Sequence, residues 1–173
     1  MYRKMNFERA LFFAQQAVGT DPKFARGYDQ LGLCYSGFGR TEDAVKAYET
    51  AIRLSDEQSL HWPWPSMNLG TLYLRSEQLP AAESALRKSI SVEPRFPVSH
   101  FRLGQVLEKE GRGTEAVQEL TEACKLDPTY PEPHYVLSRI YRRQNNIKSA
   151  ESQIILFQQL READKRNGTK RPD

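Results

Sequence analysis

The sequence predicts an all-α solenoid of about four and a half helix–turn–helix repeats. Two observations carry that expectation. The stretch from Pro97 to Tyr130, PVSHFRLGQVLEKEGRGTEAVQELTEACKLDPTY, holds two helical patterns separated by Gly111 and closed by Pro128. A shift of about 34 residues toward the N-terminus brings Leu69, Gly70, Tyr73, Ala82, Leu86 and Pro94 into register, and the same shift forward brings Leu137, Ser138, Tyr141, Ala150 and Ile154. A physical argument turns the period into a fold. One short helix pair cannot bury its own apolar face, whereas stacked pairs shelter one another and build a continuous core.

The elements follow in order. Asn6 to about Gly19 reads as a helix, with Ala10, Ala14 and Ala17 on one face and Phe7, Leu11, Phe12, Phe13 and Val18 adding bulk. Ala10 lies one such period before Ala44, so this segment matches the second helix of a repeat and forms a half-repeat over 6–24. The first full repeat, 25–62, opens with Ala25 to Phe38, where Gly32 lets a partner helix approach and Gly37 and Gly39 stop the helix. Thr41-Glu42-Asp43 begins its second helix: a hydroxyl to cap free N–H groups, then acids where the helix dipole favours them. The rhythm breaks at Ser55–Trp62. Gly70 follows Gly32 by one period plus four positions, and Ser55-Asp56 stands where other repeats end in proline. Pro63 suits a helix start. Trp62 and Trp64, beside the lengthened loop, read either as a staple fixing it to the stack or as the aromatic lip of a binding groove. The second repeat, 63–96, keeps the pattern over Met67–Arg75 and Leu79–Val92, with Pro80 harmless in a first turn. The third, 97–130, is the template. The fourth, 131–165, ends in a long helix rich in Gln153, Gln158 and Gln159, which reads as a polar cap. Residues 166–173 read as a mobile tail.

Composition limits the functions to consider. At 173 residues, 39% hydrophobic and 27% charged, the chain has the make-up of an ordinary folded domain. A net charge of +3 is too mild to imply nucleic acid. No apolar run reaches the ~18 residues of a membrane helix. Met1-Tyr2-Arg3-Lys4 has no apolar signal core behind it, so no export signal is expected; the compartment stays undetermined, with the cytoplasm as the default. Cys34 and Cys124 fall in non-adjacent repeats and read as small buried thiols. His100 and His134 occupy the same place in consecutive repeats, where a bulky core contact is usual, and are expected to pack. Zinc would need further ligands around one metal. No Gly-rich phosphate loop, GxSxG or CxxC is present. The expectation is therefore no enzyme activity, no cofactor and no metal.

These residues resemble the tetratricopeptide repeat, a helix–turn–helix unit of about 34 residues. Leu-Gly-x-x-Tyr stands at Leu31 and at Leu69 and weakens to Leu103-Gly104-x-x-Leu107 and Leu137-Ser138-x-x-Tyr141. The resemblance covers roughly residues 6–165. It implies a right-handed superhelix whose concave groove, lined by the first helix of each repeat, holds a peptide or protein segment. By analogy the groove residues are Trp64, Met67, Asn68, Phe101, Arg102, Gln105, Tyr135, Arg139 and Arg142. Met67, Phe101 and Tyr135 recur once per period and should form an apolar row, with Arg75, Lys109, Arg139, Arg142 and Arg143 toward one rim. An aromatic floor with a basic rim suits an acidic or aromatic-containing peptide. The plainer alternative is semi-buried packing beside a solvated basic face. Family members that bind chaperone tails clamp a carboxylate with two lysines, two asparagines and an arginine. Here Asn68 and Arg102 match two of those places, while Asp29, Leu33 and Val98 fill the others and argue against the clamp. The asparagine ladder of the glycosyltransferase-linked arrays is also broken, by Gln30, Arg102 and Val136.

The resulting expectation is a non-catalytic interaction module. The alternatives are a structural section of a larger array, self-associating through the N-terminal helix or packing on other repeats, and a regulatory arm of a multidomain protein. Neither nucleic acid nor membrane is an expected partner.

Overall fold

The computed structural model describes residues 2–167, with side chains described for 7–166. Among these residues the chain is entirely helical: α1 (Tyr2–Thr20), α2 (Ala25–Gly37), α3 (Thr41–Glu57), α4 (Trp64–Arg75), α5 (Leu79–Val92), α6 (Pro97–Lys109), α7 (Gly113–Leu126), α8 (Pro131–Arg143) and α9 (Ile147–Asn167). The chain divides into two compact units, Met1–Pro94 and Arg95–Asp173. The first holds α1 and the hairpins α2/α3 and α4/α5; the second holds α6/α7 and α8/α9.

Each hairpin turns by the same backbone device. The residue between the helices is left-handed: Gly39 at φ 73°, Glu77 at 57°, Gly111 at 79° and Asn145 at 58°. The amide that follows it reaches back to close the first helix. Arg40, Gln78, Arg112 and Asn146 donate to the carbonyls of Tyr35, Tyr73, Leu107 and Tyr141, each at 2.9 Å. This is a Schellman closure, which satisfies carbonyls left over at the helix end. In the first hairpin its accompanying side-chain contact is the Arg40 guanidinium, 4.5 Å over the Tyr35 ring. The same four residues then open the second helix, since their carbonyls accept the amides of Ala44, Ala82, Ala116 and Ala150 at 3.0 Å. The helix start is thus set by backbone, and Thr41 falls one place too late to cap it. Arg40 is the N-cap, with no side-chain cap bond; its Nε donates to Asp43 Oδ2 at 2.7 Å instead.

The two helices of a hairpin meet at the small residue of the first. A Cβ on Gly32 would run into the Tyr48 ring; on Gly70 and Gly104 it would lie 2.6 Å from Cγ of Leu86 and of Leu120. Each glycine therefore faces the residue sixteen places on, and the three sites are equivalent. Ser138 holds this place in the last hairpin, its hydroxyl turned back onto the Tyr135 carbonyl at 2.8 Å. The alanines at the second-helix positions, Ala44, Ala51, Ala82, Ala116 and Ala123, are fully buried.

The four extra residues near Ser55 are absorbed in two ways. Part lengthens α3, which continues through Ser55 and Asp56 to Glu57, so this pair does not end the helix as expected. The rest forms a turn in which Leu60 N–H donates to the Ser55 carbonyl at 2.8 Å, and Gln58 Nε2 ties it to the Lys23 carbonyl at 2.6 Å. Trp62 is half-buried with the Arg26 guanidinium 5.6 Å over its ring, which acts as the staple; Trp64 stays exposed. Elsewhere the Asp-Pro endings work as Asx turns: Asp21 and Asp127 each accept the amide two residues on through Oδ1 at 2.9 Å. At the C-terminus α9 is helical through Asn167, two residues into the expected tail, and 168–173 lie outside the described residues.

Candidate protein-interaction surface

The first helices of each unit carry that unit's own candidate residues. In the first unit Trp64 opens α4 and is exposed, whereas Met67, one turn later, is only 6% exposed. Asn68 is not free to meet a ligand with its amide nitrogen, because Nδ2 donates to Asp29 Oδ1 on α2 at 2.9 Å. Asp29 is itself buried. Desolvation lifts its carboxyl from the usual 3.8 to about 6, with the Asn68 bond pulling the other way. Asp29 therefore serves as an internal acceptor linking two first helices.

In the second unit Phe101 is 3% exposed and packs edge-on against Tyr130, with ring centres 5.1 Å apart. The Arg102 guanidinium lies 5.3 Å over Phe101, and its Nη1 donates to Gln105 Oε1 at 3.1 Å. The Nε of Arg102 is buried with no hydrogen-bond partner. Tyr135 differs from Met67 and Phe101. It is 46% exposed, 5.3 Å from the Phe157 ring of α9, with the Arg139 guanidinium 5.9 Å away. Of the three row residues, Tyr135 offers its ring to solvent, while each of the other two is packed into its own unit.

The basic groups of α8 are organised by a single carboxylate. Glu108 on α6 has a side chain 5% exposed, and it accepts from Arg139 through both oxygens and from Arg143 Nη1 at 3.1 Å. That carboxylate raises the pKa of Arg139 further above its ordinary range. Arg142 is exposed on the same helix. Beside Glu108 and Arg143 lies a cavity of about 330 Å³, walled also by Gly111, Gly113, Thr114, Ile140 and Gln144. Two guanidiniums against one buried carboxylate, with Arg142 exposed on the same helix, leave this end of α8 net positive.

The paired histidines bridge the two helices of their hairpins. Both are buried, and Nδ1 of His100 meets Glu119 Oε2 at 2.7 Å while Nδ1 of His134 meets Gln153 Oε1 at 2.7 Å. Cys124 Sγ lies 3.8 Å from His134 Nδ1, but burial pushes its thiol up to about 11. It is an inert neighbour, not an activated nucleophile. Among the described residues no group of three or more His, Cys, Asp or Glu side chains is placed to hold a metal, and no helix is long and apolar enough to cross a membrane.

The repeat motif does not mark the role of Glu108. The signal was available as complementary residues spaced near one repeat length: Glu108 to Arg139 is 31 residues and Glu108 to Arg143 is 35. Asp29 to Asn68 follows the same logic at 39, once the four inserted residues are allowed for.

Comparison with known proteins agrees with this architecture. Two family models described as tetratricopeptide repeat match residues 25–58 and 67–131, together more than half of the chain. Curated proteins give no match. Among solved structures, a MamA crystal structure superimposes with a TM-score of 0.79 at 17% identity, covering 95% of this chain and 94% of that one. MamA from residue 41 onward, from Desulfovibrio magneticus RS-1, gives 0.77 at 18% identity over 94% and 89%. YrrB, described as a tetratricopeptide-repeat protein with an unusual peptide-binding site, gives 0.69 at 22% identity over 90% and 78%. The shared fold is an all-α superhelical repeat.

Proposed function

The chain belongs to the tetratricopeptide-repeat family, a non-catalytic protein-interaction fold, and we propose that it holds an acidic, aromatic-containing peptide segment of a partner against its first helices. The observation that carries this reading is the exposed Tyr135 ring beside Phe157, with the Arg139 guanidinium 5.9 Å away and Arg142 exposed further along the same helix. An apolar or aromatic side chain would rest on the ring. A carboxylate would meet the guanidinium charge that Glu108 leaves uncompensated. Within the same unit Arg102 and Gln105 supply polar edges and Phe101 the packing against Tyr130. The peptide-binding site described for YrrB is a precedent for such use of the fold.

The test is a selection of random displayed peptides against the protein, with titration of the enriched sequences. Enriched peptides should be acidic and carry an aromatic residue, and their affinity should fall with salt. Tyr135→Ala combined with Arg142→Glu should weaken them at least ~10-fold, a loss of about 1.4 kcal/mol. Both positions are exposed, so the helical circular dichroism should not change. Enriched peptides that bind this variant as well as the parent would refute the reading.

A second reading, a structural section that associates through its N-terminal helix, is favoured by the exposed rings of Phe12 and Phe13.

A further inference from the structure

We propose that the cavity between α6, α7 and α8 binds an aliphatic carboxylate group. It lies wholly within the second unit, walled by Glu108 of α6, Gly113 of α7, and Ile140, Arg143 and Gln144 at the end of α8. It stands apart from the surface around Tyr135 and does not rest on that reading. At about 330 Å³ it has room for about ten waters, whereas packed interiors leave few voids larger than one.

One residue opens this space. The second helix of each full hairpin begins at the same register, with Thr41, Leu79, Gly113 and Ile147. The other three carry a branched side chain there, and Gly113 carries none. A Cβ on Gly113 would lie 3.4 Å from Gln144 Nε2 and 3.9 Å from Ile140 Cγ2, so it would meet two walls of the cavity at ordinary contact distances. At Gly32, Gly70 and Gly104 a Cβ collides instead. Gly113 is not left-handed either, unlike Gly39 and Gly111. Neither close helix approach nor backbone conformation therefore calls for glycine here. Its effect is to leave vacant the place that Leu79 fills one hairpin earlier, against the buried Ile140.

The polar edge of the same space selects the charge. Glu108 accepts from Arg139 through both oxygens and from Arg143. Those two guanidiniums against one carboxylate leave one positive charge, and Arg142 adds another for the surface around Tyr135. Arg143 contacts Glu108 through Nη1 at 3.1 Å, one of the five N–H donors of a guanidinium, and its side chain is 64% exposed. The rest of its fork suits a second carboxylate at the mouth of the cavity. The Gln144 amide beside Gly113 adds a neutral donor. A single carboxylate balances the spare charge, whereas a phosphate dianion would exceed it next to buried Glu108. A cationic ligand would find Glu108 already occupied. The ligand is thus an apolar, branched body in the place of Leu79 with a carboxylate on Arg143. A free branched acid and the C-terminal residue of a protein chain both offer that chemistry.

The test is a titration of isotope-labelled protein followed through its amide resonances. The probes are isovalerate, for a free acid, and N-acetyl-leucine, for a chain end. At least one should shift the Thr114 backbone and Gln144 side-chain amides saturably, with a Kd on the order of 1 mM, and the tighter of the two names the source. The corresponding amides, which lack the charge, and acetate and N-acetylglycine, which lack the branched body, should bind at least ~10-fold more weakly. Gly113→Leu fills the vacancy and should abolish the shifts without lowering the melting temperature, since leucine also favours the helix. Arg143→Gln, at an exposed side chain, should weaken binding at least ~10-fold and serves as the second variant. Silent resonances with both acids, equal binding of the amides, or binding kept by both variants overturns the proposal. So does inorganic phosphate that binds there more tightly than either acid.

Discussion

Replacing Gly104 with alanine tests how the hairpins are closed. On helix propensity alone the change should help, because alanine is better than glycine inside a helix by about 1 kcal/mol. The structure predicts the opposite sign. A Cβ at this position would sit 2.6 Å from Leu120 Cγ, 2.9 Å from Leu120 Cδ2 and 3.4 Å from the Ala116 carbonyl oxygen. Leu120 and Ala116 are fully buried, so the leucine has little room to withdraw and the carbonyl belongs to α7 itself. Overpacking of this kind costs about 1–3 kcal/mol, which outweighs the propensity gain and leaves a net loss of about 1 kcal/mol. In urea unfolding followed by circular dichroism, with a slope near 2 kcal/mol/M, the midpoint should fall by about 0.5 M. The control is the Leu120→Ala background, which costs about 2–5 kcal/mol by itself but removes the obstructing side chain. There Gly104→Ala should become neutral or stabilising, a coupling of about 1–2 kcal/mol between the sites. If Gly104→Ala raises the midpoint of the otherwise unchanged protein, glycine is not present for close approach and this account of the hairpin is wrong.

Asp29 predicts a pH dependence. Its folded carboxyl titrates near 6 against the usual 3.8, so the folded chain holds the proton more tightly than the unfolded chain. That contribution is full below about pH 4 and is lost as pH rises through about 6. Asp29→Asn should therefore leave stability at pH 4 unchanged and raise it at pH 7.5 by up to about 3 kcal/mol, measured by thermal melts at both values. Glu108→Gln should destabilise the second unit by about 1–3 kcal/mol, because Arg139 and Arg143 lose their charged acceptor, the cost being reduced by their exposure. The same substitution frees guanidinium charge, so peptides selected for the Tyr135 surface should bind several-fold more tightly at low salt; unchanged affinity would count against a carboxylate in the ligand. Burial raises the thiol pKa of both Cys34 and Cys124, the latter to about 11, so neither should react appreciably with a disulfide reagent at pH 8 until the chain is unfolded. A fast-reacting native thiol would contradict that burial.

The repeat was legible because its signals are local and recur. Gly32, Gly70 and Gly104 announce a close helix crossing at a fixed place, and the structure puts each against the residue sixteen positions on. The turn was half legible. Gly39 and Gly111 advertise a left-handed residue, but Glu77 and Asn145 adopt the same conformation with no glycine to mark it. There the Schellman closure of the helix, not the residue type, holds the backbone. The N-cap was misjudged for the same reason: the closure assigns Arg40 to that role before any hydroxyl can compete.

The candidate site was less legible, because a helical face facing away from its own hairpin is not thereby exposed. Met67 and Phe101 share their register with Tyr135, yet they are nearly buried while Tyr135 is not. The pairs Asp29–Asn68 and Glu108–Arg139 show why period alone cannot separate the cases. Consecutive first helices within each unit bond to each other, so in the second unit Phe101 on α6 is enclosed while Tyr135 on α8 keeps its surface. A repeat sequence specifies what each position meets when neighbours are present on both sides. Which of the matching apolar side chains stays open is then decided by the packing around each one, as Phe101 against Tyr130 and Tyr135 against Phe157 show.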